Sequence, residues 1–145
     1  MAVTSVYTGQ YLKEIRQKLH DEETDDITVC LMDTSFVFNK DTMTNYTDHV
    51  LPNEIATGYG YTRNTKVLTT PALAYSAVTH KVTLTGDTLT WTATGGDLPA
   101  VMGACLVING TLMLYIDFDA TYITANTKLF QLNFANGVAT ATVVG

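Results

Sequence analysis

The sequence predicts a mainly β protein: an antiparallel β-sandwich or small barrel of about eight strands with one short N-terminal helix. Three observations carry this. The 145 residues include 26 Thr against only 3 Ser, and a β-branched hydroxyl suits the wet face of a strand. Apolar and polar residues alternate with period two through the C-terminal half, as in Leu89-Thr90-Trp91-Thr92-Ala93. Turn dipeptides recur at short spacing: Gly86-Asp87, Gly95-Gly96, Asn109-Gly110 and Asn136-Gly137. A chain of this length forms one domain with a core of its own. We read 1–26 as an N-terminal arm, helix and acidic connector, and 27–145 as a β domain carrying a long loop, 33–64.

Residues 8–20 (TGQYLKEIRQKLH) read as the helix. Leu12, Ile15 and Leu19 fall on one face, Thr8 is placed as its N-cap, and Lys18 and His20 suit the helix C-terminus. The DEETDD run at 21–26 is a solvated connector. Residues 27–32 (ITVCLM) are a continuous apolar run, as in a buried strand. Loop 33–64 is polar and turn-rich, with Phe36, Val37 and Phe38 as its apolar anchor and Gly58-Tyr59-Gly60-Tyr61 as two flexible points flanked by aromatics. Loops this long often serve binding.

Strands follow at short intervals. Lys66–Thr69 is one. His80–Thr85 and Thr88–Ala93 are expected to pair across Gly86-Asp87. Ala100–Ile108 and Thr111–Phe118 are joined by Asn109-Gly110, a strong hairpin signal. Along Thr111–Phe118, Leu112, Leu114, Ile116 and Phe118 form one face, with Met113, Tyr115, Asp117 and the following Asp119 on the other. Lys128–Phe134 and Val138–Val144 close the chain across Asn136-Gly137.

Charge is sparse and uneven. Asp and Glu number 14 and Lys and Arg 8, a net charge of −6. Residues 1–54 hold 10 of the acids, whereas 82–145 hold four acids and one base, Lys128. So few bases argue against nucleic acid, whose phosphates require clustered Lys and Arg. No apolar run is long enough for a membrane-spanning helix, and the N-terminus lacks the pattern of a secretory signal. The nearly charge-free β half is expected to be a Thr-rich polar surface or one covered by a partner.

No motif carries chemistry. Cys30 and Cys105 lie in apolar strands and read as small buried hydrophobes. His20, His49 and His80 lack partner motifs. Asp117 and Asp119 alternate with Phe118 and read as exposed acids at a strand end, Asp87 or Asp97 being the nearest additions to any calcium site. Trp91 reads as core, packed with Leu89. We therefore expect no catalytic residue, no cofactor and no metal.

Three segments taken in order resemble small structural proteins of tailed bacteriophages. The first is Leu31-Met32-Asp33-Thr34-Ser35-Phe36 with Phe38, then Asn39-Lys40-Asp41-Thr42. The second is Glu54-Ile55 with Thr57-Gly58-Tyr59 through Arg63. The third comprises Asp87, Leu89, Thr90 and Trp91, the Leu114–Phe118 strand, and Phe130, Leu132 and Phe134 with Gly137 and Val138. This sequence departs from the pattern in its Gly-Tyr repeat and its short Asn109-Gly110 turn.

The resemblance implies a non-enzymatic virion component, foremost a capsid decoration (cement) protein. Such proteins bind the outside of the assembled head and stabilise it, often as trimers. The partners implied are the major capsid protein and copies of this chain, with no nucleic acid and no membrane. The location implied is the capsid exterior, with the host cytoplasm during assembly. The alternative is a tail- or fibre-associated adaptor or receptor-binding module, for which an aromatic groove at Tyr59, Tyr61 and Trp91 would suit carbohydrate. Interface cores favour aromatics and Met over charge. Phe36, Phe38, Tyr46, Tyr59 and Tyr61 are accordingly the candidate protein-interface residues, with Tyr75, Met43 and Met113 of the same character.

Overall fold

The structure, a computed structural model, describes residues 4–134 and 140–145. Along the chain these form β1 (Thr4–Tyr7), α1 (Gly9–Arg16), β2 (Ile27–Met32), β3 (Ala72–Ser76), β4 (Lys81–Thr85), β5 (Leu89–Thr92), β6 (Val101–Ile108), β7 (Thr111–Tyr122), β8 (Leu129–Asn133) and β9 (Thr140–Val144). Two short helical turns, Tyr46–Val50 and Leu51–Asn53, interrupt the long loop. The protein is mainly β, and every named strand pairing is antiparallel. A four-stranded sheet runs β1-β7-β6-β2, a three-stranded sheet runs β5-β8-β9, and β3-β4 is a separate hairpin.

Alternation along the central strands builds two cores on opposite faces of the larger sheet. Ile27, Val29 and Leu31 of β2 and Ala104, Leu106 and Ile108 of β6 face one way. They meet Leu89, Trp91, Phe130 and Leu132 of the smaller sheet, giving a sandwich-like pair of layers. Trp91, Phe130 and Phe118 form a chain of rings with centroids 5.8–5.9 Å apart. Cys30, Met32, Cys105, Val107, Leu112 and Tyr115 point the other way, where loop 33–64 covers them with Phe36 and Val50. Burial of these apolar side chains, at ~25 cal/mol per Å², is the main stabilising term.

Several expectations are corrected. β4 pairs with β3, not with β5, so Gly86-Asp87 is a crossing between sheets and not a hairpin turn. Gly86 is needed there because a Cβ would fall 2.6 Å from Leu68. The N-terminal arm is itself a strand, with Thr4 opposite Asp117 on β7. The expected phase of β7 breaks at Met113. Leu106 pairs Leu114 and Val107 pairs Leu112, so Met113 is the extra residue of a bulge. Met113 and Leu114 therefore both enter the larger core while Leu112 turns to the other face.

The helix is shorter than 8–20. Thr8 caps it as expected, accepting from Tyr11 N at 3.1 Å while donating to the Leu112 carbonyl at 2.6 Å. It ends at Arg16 because Lys18 adopts a left-handed conformation, φ 60°. Its stripe of Leu12, Ile15 and Leu19 faces solvent, and only Tyr11 is buried. Asn109-Gly110 turns as the sequence predicts, with both residues at positive φ. The turn at Asn136-Gly137 lies outside the described residues, although β8 and β9 do pair.

Candidate protein-interaction site

Loop 33–64 is held down as a cover, and this decides which aromatics reach the surface. Asp33 starts it: its carboxylate accepts from Ser35 N at 2.9 Å and Ser35 Oγ at 2.8 Å, and its N–H donates to Asn53 O at 2.9 Å. The turn drives Phe36 into the core, leaves Phe38 half-buried and lifts Val37 out, 79% exposed. Tyr115 of β7 stands against both rings, 5.1 Å edge-on to Phe36 and 5.3 Å from Phe38. A Cβ at Gly103 would collide with the Tyr115 ring, so glycine on β6 is what admits it.

These side chains, with Val6, Met102 and Asp117, line a groove of about 320 Å³. The Tyr115 hydroxyl is buried and has no hydrogen-bond partner among the described residues. Its phenol is pushed well above the ordinary range, first by burial and then by the Asp117 carboxylate. A buried hydroxyl left unpaired costs free energy. The groove is thus lined by aromatic and aliphatic side chains, with Asp117 as its one charged lining residue.

The other interface candidates are placed elsewhere. Tyr46 and Tyr61 converge on Glu54, which is 2% exposed. Glu54 Oε2 accepts from Tyr46 OH at 2.6 Å; Oε1 accepts from Tyr61 OH at 2.6 Å and from Asn64 N at 2.9 Å. The Tyr61 hydroxyl in turn accepts from Leu31 N at 2.9 Å, which ties the loop to β2. Arg63 donates to the Glu54 and Ile55 carbonyls at 2.9 and 3.1 Å, closing the segment on itself. Both phenols are raised by burial and by Glu54. Tyr61 is therefore a core residue and not a surface contact, and Tyr46 is a half-buried clasp.

Gly58-Tyr59-Gly60-Tyr61 is a tight turn. Gly58 and Tyr61 exchange two backbone hydrogen bonds of 2.8 and 3.0 Å around Tyr59 (φ 52°) and Gly60 (φ 94°). The turn sends Tyr61 inward and leaves Tyr59 exposed. Because Tyr61 and Trp91 are both buried and packed on each other at 6.4 Å, they form no open platform with Tyr59. Met113 is fully buried, Met43 half-buried and Tyr75 exposed.

The structure therefore unites Phe36 and Phe38 in one groove and disperses Tyr46, Tyr59 and Tyr61. Sequence reasoning missed Val6, Met102 and Tyr115 as lining residues. The signal for Tyr115 was present, since it lies on the strand face opposite Leu114 and Ile116.

Cys30 and Cys105 are free, fully buried and directly opposite one another on β2 and β6. Burial first, then Glu54, raises both thiols. Asp119 folds its N–H onto Asp117 Oδ1 at 2.9 Å, and Asp97 accepts from Asn126 N at 2.8 Å. Among the described residues no three His, Cys, Asp or Glu side chains converge as metal ligands, and no helix is long and apolar enough to cross a membrane. No family model matches the chain, and neither a curated protein nor a solved structure matches it.

Proposed function

We propose that this chain is a non-enzymatic structural component of a bacteriophage virion, a decoration or cement protein that binds and stabilises the assembled head. The observation that carries the reading is the groove beside Val37. It is lined by aromatic and aliphatic side chains, with Asp117 as its one charged residue, and is rimmed by the exposed Val37. It also lies in the first of the segments that resemble phage structural proteins, and it joins the N-terminal strand to the long loop. On this reading the partner is the major capsid protein, which supplies an apolar side chain.

The mechanism is linkage. A protein that binds only the assembled shell stabilises it by RT ln(1 + [L]/Kd) per site, about 2.7 kcal/mol at a hundredfold excess over Kd. Few surface charges suit such a contact, since a charge buried without a partner is costly.

The test mixes purified protein with expanded, undecorated heads and measures co-sedimentation and head melting temperature. We expect binding and a raised melting temperature. Val37→Asp, a change at an exposed position, should weaken binding at least about tenfold, or about 1.4 kcal/mol. Absence of binding, with no rise in melting, would overturn the reading. Copies confined to the tail in micrographs of the virion would replace it with the tail-associated alternative.

A further inference from the structure

A second unpartnered face lies on the other side of the four-stranded sheet. Val6 pairs with Tyr115 and Tyr7 with Leu114, so neighbouring residues of β1 serve opposite faces. On the Tyr7 side, α1 turns Leu12 (52% exposed), Ile15 and Leu19 to solvent. Facing it is the β3-β4 hairpin. Its register sets Leu73 opposite Leu84 and Tyr75 opposite Val82, which gathers four apolar side chains on one face. Leu84 leans on the core, while Leu73, Tyr75 and Val82 stay exposed and Val78 at the tip is 90% exposed. Helix and hairpin wall a groove of about 450 Å³ floored by Tyr7, Tyr11 and Glu22. A two-stranded hairpin is marginal in water without a third layer on its apolar face, and contiguous exposed apolar patches mark interaction sites.

The charges beside the groove indicate what covers it. Lys13, Arg16 and Lys18 are exposed on one shoulder. Asp21, Glu22, Glu23, Asp25 and Asp26 follow on the other. Among the described side chains the one Lys or Arg ion pair is Lys40–Asp41, and His20 contacts Glu14, so neither set is paired among them. The acids are held in place by other bonds: Glu22 accepts from Tyr11 OH, and Glu23 accepts from Leu73 N at 3.0 Å. A face with an apolar centre, a basic shoulder and an acidic shoulder complements a copy of itself turned by 180°. That is the requirement of an isologous contact. The acidic shoulder equally disfavours an anionic lipid surface.

We propose that the groove between α1 and the β3-β4 hairpin is where a second copy of this chain docks, related by a two-fold axis. Lys13 and Arg16 of each copy face the acidic connector of the other, and the apolar stripe and hairpin face of both are buried between them. This goes beyond head binding and uses a different surface.

Sedimentation equilibrium of the whole chain tests it. We expect a species of twice 15.8 kDa at about 100 µM, above the micromolar constants that weak interfaces of standard size reach. Leu12→Lys should give a folded monomer, with unchanged circular dichroism and a melting temperature that no longer rises with protein concentration. Lys13→Glu with Arg16→Glu should weaken association at least about tenfold, because like charges then meet across the interface. Val37→Asp, on the opposite face, should leave the dimer intact, so failure of self-association and failure of head binding are read separately. A wild-type monomer, a trimer, an unaltered dimer in folded Leu12→Lys, or a monomer that instead binds anionic phosphatidylglycerol vesicles would each overturn the proposal.

Discussion

Replacing Glu54 should reveal how much of the fold rests on one buried carboxylate. Glu54→Ala removes the acceptor of three donors at once: Tyr46 OH, Tyr61 OH and Asn64 N. A buried donor left unpaired costs about 1–3 kcal/mol. Tyr46 is half-exposed and Asn64 exposed, so both donors regain water, whereas the Tyr61 hydroxyl is enclosed. Counting Tyr61 near the middle of that range, and about 0.5 kcal/mol for each of the two bonds whose donors regain water, gives about 3 kcal/mol. That is a large share of the 5–15 kcal/mol typical of a domain. Glu54→Gln keeps the shape and one carbonyl. If that carbonyl takes the Oε1 position it still serves Tyr61 and Asn64, and Tyr46 rotates its hydroxyl to accept, so about 1–2 kcal/mol is expected. Urea unfolding followed by tryptophan fluorescence is the assay, since Trp91 packs on Tyr61. The midpoint should fall in the order wild type, Gln, Ala at constant slope. Equal losses for Gln and Ala, or less than about 1 kcal/mol for Ala, would refute the assignment of three hydrogen bonds to Glu54.

Two further outcomes follow from backbone geometry and from the phenols. Gly60→Ala should cost at least about 1–3 kcal/mol. It places a Cβ at φ 94° and against the Thr92 carbonyl, and thermal melting of the variant measures the loss. At alkaline pH the sign is fixed by the tyrosines. Burial, reinforced by Glu22, pushes Tyr7 up to about 12, and Tyr11, Tyr46, Tyr61 and Tyr115 are also raised. The folded state holds these protons after the unfolded chain has released them. Stability is thus fully present below pH ~10 and falls as pH rises through ~12. Phenolate absorbance should show at least five of the eight tyrosines ionising late, together with unfolding; ionisation of all eight near pH 10 in the folded protein would contradict their burial.

What the sequence disclosed was local and periodic. β2, β6, β8 and the Asn109-Gly110 hairpin were legible because alternation, apolar runs and turn chemistry act over a few residues. β1 was not. Four residues, TSVY, become a strand only because β7, more than a hundred residues later, offers an edge, and strand preference depends on such context. Gly86-Asp87 misled for the same reason: a turn dipeptide says the chain bends, not which strand it returns to. The bulge at Met113 shifts the phase of β7 without altering its composition. The groove was half legible. Phe36-Val37-Phe38 announced an anchor, but which of the three points outward depends on the Asp33 turn. Glu54 gave no warning, since its donors come from seven, eight and ten residues away.

The placement of β1 also governs how the molecule comes together in time. Thr4 pairs with Asp117, and Cys30 of β2 with Cys105 of β6, so nearly the whole chain must emerge from the ribosome before the larger sheet can close. Until then the apolar ITVCLM run has no partner strand. Topologies built on such distant pairings fold in milliseconds to seconds, not microseconds, and leave apolar stretches open to neighbouring chains meanwhile. The acidic connector directly before β2 sets negative charge beside that run, and like charges oppose the close approach of neighbouring chains.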